Sequence, residues 1–209
     1  MRHTFIFATV LLTASVASAR DDDRGGRDGR DGYHEHDGFF LRLQLGGGYT
    51  RAGVLGEDLA LKGGGGSINV EFGGAPVRNL ILFGKLFGAS SPNPDIEVGD
   101  LTIEGQDEDV SQNYGGLGVG IAYYLMPANV YLSGALTASR LTIDEDGETF
   151  AETDLGPGFH LGIGKEWWVS KNWGLGLGAE LALGRVAEKD ESAKWNVVSG
   201  NLFLTATFN

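Results

Sequence analysis

Five charged side chains stand inside stretches that otherwise alternate apolar with small or polar residues: Arg42, Glu71, Lys85, Glu166 and Glu180. They carry both signs and come from separate segments, so a fold that gathers them can pair them. A charge withdrawn from water is costly unless it is paired, and the expected product is a salt-bridge network. The alternative is a gated polar path whose selectivity these charges set. His160 belongs to the same region and could act as a base, which would require a nucleophile beside it. Glycines stand two residues to either side of it, and a buried, hydrogen-bonded histidine is the expectation, with no catalytic residue assigned. His34-Glu35-His36 offers imidazole and carboxylate ligands, but it stands in a charged stretch with no second cluster and reads as solvated; no metal site and no cofactor are expected.

Two further patterns have chemical content. Gly174-Leu175-Gly176-Leu177-Gly178-Ala179 matches the alanine-ended dinucleotide fingerprint, which needs a strand, a tight turn and then a helix. Alternation continues through Leu183 and removes the helix, so the match is rejected. Residues 90–112 carry Asp95, Glu97, Asp100, Glu104, Asp107, Glu108 and Asp109, and residues 142–153 carry Asp144, Glu145, Asp146, Glu148 and Glu152, with no basic residue in either stretch. Clustered carboxylates can hold divalent cations such as Ca²⁺ or Mg²⁺. Without an ordered calcium-loop spacing, a solvated, repelling surface is the favoured reading. The formal charge of −12 argues against nucleic acid, whose binders present basic patches.

The elements that would position these groups begin after an address. Arg2 and His3, an apolar run from Phe5 to Val16, and Ala17-Ser18-Ala19 read as a secretory signal over residues 1–19. Residues 20–37 mix Arg, Asp and Gly and read as a flexible charged tail. From Gly38 the texture turns to period two, which predicts strands with unlike faces. At the C-terminus Val198, Leu202, Leu204, Ala206 and Phe208 oppose Ser199, Asn201, Thr205 and Thr207, with Phe203 out of pattern. Strands are expected over 39–50, 65–74, 79–89, 113–125, 129–141, 155–166, 173–184 and the C-terminal segment, eight in all. Short links (74–79, 126–129, 169–172) alternate with long ones (51–64, 90–112, 142–153, 185–195), the order expected of an up-and-down membrane barrel with short periplasmic turns. Phe39, Tyr123, Tyr124, Tyr131, Trp167, Trp168, Trp173 and Phe208 fall at the periplasmic strand ends and predict an aromatic girdle there, with Tyr49, Phe87, Tyr114 and Trp195 at the opposite ends.

The fold class is therefore all-β: a closed antiparallel up-and-down transmembrane β-barrel of eight strands over residues 38–209, with the five charges directed into its lumen. On this architecture, and on a last strand ending in Phe208 with Ala206, Leu204 and Leu202 at alternate positions before it, the chain resembles the eight-stranded outer-membrane barrel superfamily that includes the OmpA transmembrane domain and OmpX-like proteins. The resemblance implies residence in the bacterial outer membrane, contact with lipid and lipopolysaccharide, and reading of the terminal aromatic by the barrel assembly machinery; Asn209 after Phe208 departs from the pattern by one residue. The expected role is non-enzymatic, at the cell surface. A narrow passive conduit for small, even apolar, solutes is the alternative, suggested by Ile81, Phe83 and Phe87 on the lumen face, and a lipid-modifying enzyme is the third.

Overall fold

Alternation from Gly38 onward becomes one closed sheet. In a computed structural model of the chain, which describes residues 35–105, 110–188 and 193–209, eight long strands follow one another around the barrel. They are β1 (Gly38–Val54), β2 (Leu59–Val77), β3 (Leu80–Pro92), β6 (Val110–Leu125), β7 (Val130–Glu145), β9 (Gly156–Trp168), β10 (Trp173–Ala187) and β11 (Lys194–Phe208). Each pairs antiparallel with its neighbour, and β1 pairs with both β2 and β11, so the long strands leave no open edge. Three short strands stand on the rim: β4 (Asp95–Val98), β5 (Leu101–Ile103) and β8 (Glu148–Glu152). The expected secretory signal over residues 1–19 and most of the expected charged tail lie outside the described residues.

The barrel is apolar outside and polar within. Leu202, Leu204 and Leu45 are 70%, 67% and 66% exposed, while Arg42, Glu71 and Lys85 are no more than 2% exposed. A soluble barrel would invert that arrangement; a closed sheet with a lipid-facing apolar band and a polar interior is the form that satisfies every backbone hydrogen bond across a bilayer. Among the described residues no helix is long and apolar enough to cross one. At 13 to 19 residues the strands exceed the roughly 9–11 needed to span, so the walls project beyond the hydrocarbon.

That projection corrects the expected loops. Inward Thr50, Ala52 and Val54 carry β1 past residue 50, and β2 begins at Leu59 with β4 paired to its first residues. The 90–112 stretch contains the β4–β5 hairpin, turned at Gly99 and Asp100, and 142–153 contains the β7–β8 hairpin, turned at Asp146-Gly147 with φ of 52° and 82°. Positive φ at both central residues is what an Asp-Gly hairpin turn supplies. At the opposite end Asn79 and Asn129, also at positive φ, close the tight links.

Candidate functional site

The lumen is the site that the sequence singles out, and its contents follow from register. Arg42 stands directly across from Glu71, and Glu71 across from Lys85, so β1, β2 and β3 present three charges side by side on the inward face. Glu180 reaches them from β10 on the far wall. Room for these long side chains comes from glycine on the facing strands, Gly118 and Gly120 on β6, Gly162 and Gly164 on β9, Gly176 and Gly178 on β10. At Gly164 an added Cβ would fall 2.5 Å from the Tyr131 ring, and at Gly120 it would fall 2.5 Å from that of Phe83. Large side chains fill the space that glycines leave on neighbouring strands, and the lumen is filled rather than open.

The charges form one chain of contacts. Arg42 Nε donates to Glu71 Oε2 at 2.9 Å, and the guanidinium forms an ion pair with the same carboxylate. Lys85 Nζ bridges Glu71 at 3.1 Å and Glu180 at 2.7 Å. His160 Nδ1 lies 2.9 Å from Glu180 Oε1, and Asn69 donates to Glu180 and to Gln44. Glu166 stands lower and joins indirectly: it accepts from Thr207 at 2.7 Å and from the Tyr124 hydroxyl at 3.3 Å, and that hydroxyl in turn accepts from Arg42 at 3.4 Å. The Arg42 guanidinium also lies 3.9 Å from the Tyr131 ring centroid, a cation–π contact. Two cations, three carboxylates and a set of amide and hydroxyl donors pair with one another inside the barrel, which is the condition under which buried charge is tolerated.

This polar layer is sandwiched. On the outer side Tyr114, Leu141, Val186, Trp195 and Val197 pack together; on the periplasmic side Phe40, Ile81, Phe83, Tyr124 and Tyr131 do. Six aromatics proposed for the membrane interfaces therefore need correction, three at the inner end and three at the outer. Tyr124, Tyr131 and Trp168 face the lumen, and so do Phe87, Tyr114 and Trp195. Period two makes this necessary for the pairs Tyr123-Tyr124 and Trp167-Trp168, since neighbours in a strand point to opposite faces. Phe39, Tyr123, Trp167, Trp173 and Phe208 do face outward, with Trp173 and Phe39 against Phe208 at centroid distances of 5.4 Å and 6.3 Å.

His36 corrects the solvated reading of His34-Glu35-His36. Instead of lying in solvent it is fully buried at the periplasmic mouth. Its ring stacks on Tyr124 at 3.5 Å and lies 5.0 Å from Trp168. An Asn129 Oδ1 contact of 2.7 Å holds the ring, while Asn79 Oδ1 accepts from its backbone N–H at 3.2 Å and Asn79 N–H donates to its carbonyl at 2.9 Å. The residue precedes β1, and burial pushes its imidazole below the ordinary value of 6.5, against the opposing pull of the Asn129 and Asn209 side chains and of Glu166. No periodicity marks a position two residues before the first strand, where the surrounding Arg, Asp and Gly dominate the local signal.

His160 is also buried, between Glu180 and the Phe87 ring at 4.4 Å. Among the described residues its hydrogen-bonding partner is a carboxylate, with no serine or threonine hydroxyl bonded to the ring. Around the outer rim, Arg51 and Lys62 reach Glu97 at 3.3 Å and 3.7 Å, Arg140 pairs with Glu152, and Asn113 donates to Asp144 at 2.7 Å. Some acidic side chains thus find partners on neighbouring strands; Asp107, Glu108 and Asp109 lie outside the described residues. No group of three or more His, Asp or Glu side chains suited to a metal is present among the described residues.

An apolar-out, polar-in closed sheet of eight antiparallel strands defines an integral β-barrel of the bacterial outer membrane. The chain is similar in fold to Neisserial surface protein A, with a TM-score of 0.54 and 17% identity over 81% of this chain and 96% of that one. Weaker likenesses are to Ail, the attachment invasion locus protein of Yersinia pestis (0.46, 12% identity, 80% and 99% covered), and to OprG from Pseudomonas aeruginosa (0.44, 10%, 83% and 97%). No family model matches the chain, and neither does any curated protein.

Proposed function

We propose that the protein is a closed, non-enzymatic surface barrel: its lumen is a structural plug, and its work is done by the acidic strands that stand above the outer leaflet. The observation that carries this reading is the continuous contact chain from Glu166 through Tyr124, Arg42, Glu71, Lys85 and Glu180 to His160, capped by packed apolar layers on both sides. A conduit would need a water-filled path through those layers. An enzyme would need an accessible nucleophile beside the base, whereas His160 is turned to Glu180 inside the wall. Contacts with outer-membrane lipid and lipopolysaccharide at the belt, with the assembly machinery at β11, and with divalent cations between the acidic rim and lipid phosphates belong to the same reading.

Planar-bilayer recording tests it. The refolded full chain is expected to give no current above the lipid background. Stepwise conductance that changes in Lys85→Ala or Glu180→Ala would overturn the proposal in favour of a conduit.

A further inference from the structure

Above the membrane the rim carries apolar side chains that no lipid covers. On β1 the outward aromatics Phe39 and Tyr49 bracket the apolar belt, and Tyr49 stands across from Gly64. The first residues of β2, and β4 paired to them, therefore project beyond the belt. Ile96 on β4, Ile103 on β5 and Phe150 on β8 are 40%, 56% and 75% exposed, which is unfavourable in water and marks a surface that a partner covers. Together with Ile143 on β7 they line a cleft of about 480 Å³ between the β4–β5 and β7–β8 hairpins, within the roughly 300–1,000 Å³ of small-molecule sites.

The charged side chains lining this cleft are Glu104 and Glu145; among the described residues no Lys or Arg lines it. Arg51, Lys62 and Arg140, basic groups on the same rim, are engaged with Glu97 and Glu152. A second observation stands at the foot of the cleft. Gln112 lies two residues along β6 from Val110 and pairs with Ile143, both of which line it. Gln112 is 1% exposed, and neither its amide nitrogen nor its oxygen has a partner. A buried amide left without partners is costly, and a polar group on an occupant would relieve it.

We propose that this cleft binds a cationic amphiphile, with its apolar body against Ile96, Ile103, Ile143 and Phe150 and its positive head at Glu104 and Glu145. The inference extends the surface role proposed above and depends on the rim facing outward, not on whether the lumen conducts. An anionic amphiphile of the same length would gain the same apolar contacts but meet two carboxylates of like charge.

The test is a titration of the refolded full chain in phosphatidylcholine nanodiscs, followed by backbone amide chemical shifts. The paired additives are octyltrimethylammonium and octanoate. Saturable shifts confined to the rim hairpins, with octyltrimethylammonium at least about fivefold tighter than octanoate, are expected. The double variant Glu104→Gln/Glu145→Gln is expected to lose about fivefold in ammonium affinity, and Phe150→Ala to weaken both additives. Folding of each variant is checked by its unboiled gel mobility and by unchanged shifts in the barrel wall. Equal affinity for the two additives, or shifts spread along the lipid-facing belt without saturation, would overturn the inference. Bilayer conductance, read separately on the same preparation, bears on the closed lumen alone: a closed barrel with no selectivity for the ammonium sinks the cleft, and a conducting one that keeps that selectivity sinks only the plug.

Discussion

Lys85 is the residue on which the buried network turns, because it lies between two carboxylates that have no water to fall back on. Removing it leaves Glu71 facing Arg42 alone and Glu180 facing only His160 and Asn69. Breaking a buried ion pair from one side costs about 3–5 kcal/mol, so Lys85→Ala is expected to lower the unfolding free energy by that order in urea titrations of the lipid-reconstituted barrel. Lys85→Met combined with Glu180→Gln removes one charge of each sign and is expected to recover a substantial part of the loss. His36 makes a different prediction. Its imidazole is held below 6.5 chiefly by burial, so the unfolded chain binds the proton more readily than the folded one. The stability that its docking contributes is therefore fully present above about pH 6.5 and is lost as the pH falls through the lowered folded value. Proton exchange or fluorescence of Trp168 should report loosening of the periplasmic mouth on acidification, and His36→Phe, which keeps a ring against Tyr124 without a titrating group, should abolish that dependence.

The glycine strands are as specific as the charged ones, since inward glycines such as Gly120, Gly164 and Gly184 leave room for the rings of Phe83, Tyr131 and Tyr114. Gly164 lies against Tyr131, and Gly164→Val should displace that ring, unseat the Arg42 cation–π contact and reduce the fraction that migrates as folded barrel before boiling; overpacking of this kind costs about 1–3 kcal/mol. Much of this level was legible from period two alone: the strands, the antiparallel closure, and the inward parity of Arg42, Glu71, Lys85, Glu166 and Glu180 all follow from alternation. What the strand-end rule for aromatics leaves out is the face. Tyr124 and Tyr131 sit at strand ends, as the interface rule asks, yet they point inward; a strict two-residue count from Tyr123 and Leu132 would have separated them from the girdle. The β7–β8 hairpin was also readable, in Asp146-Gly147, and was hidden by the density of acidic residues that made the segment look like open loop. His36 was not readable, because its burial depends on Asn79, Asn129 and Tyr124, which arrive from three other places in the chain.

At the scale of the whole barrel, closure is the sum of stacked layers rather than one constriction. His36 and Trp168 close the periplasmic mouth; Phe40, Tyr124 and Tyr131 lie above them; then come the charges, and then Phe87, Tyr114 and Trp195 below the rim. Layers in series are each sufficient to block an ion, so removal of one should leave the current at background. His36→Ala alone and Phe87→Ala alone are expected to stay silent in planar bilayers. Lys85→Ala should stay silent too, despite its cost in stability, because the aromatic layers on both sides remain. The combination of all three with Tyr131→Ala replaces a large side chain by a methyl group in each of the four layers, beside inward positions that are already glycine, such as Gly118 and Gly164, and it is expected to give fluctuating conductance. The measurement is single-channel current at matched protein density for the singles and the quadruple variant, with unboiled gel mobility to show that each is folded. A single substitution that opened the barrel by itself would place the seal in one layer, and the filled lumen would then be a gate instead of a plug.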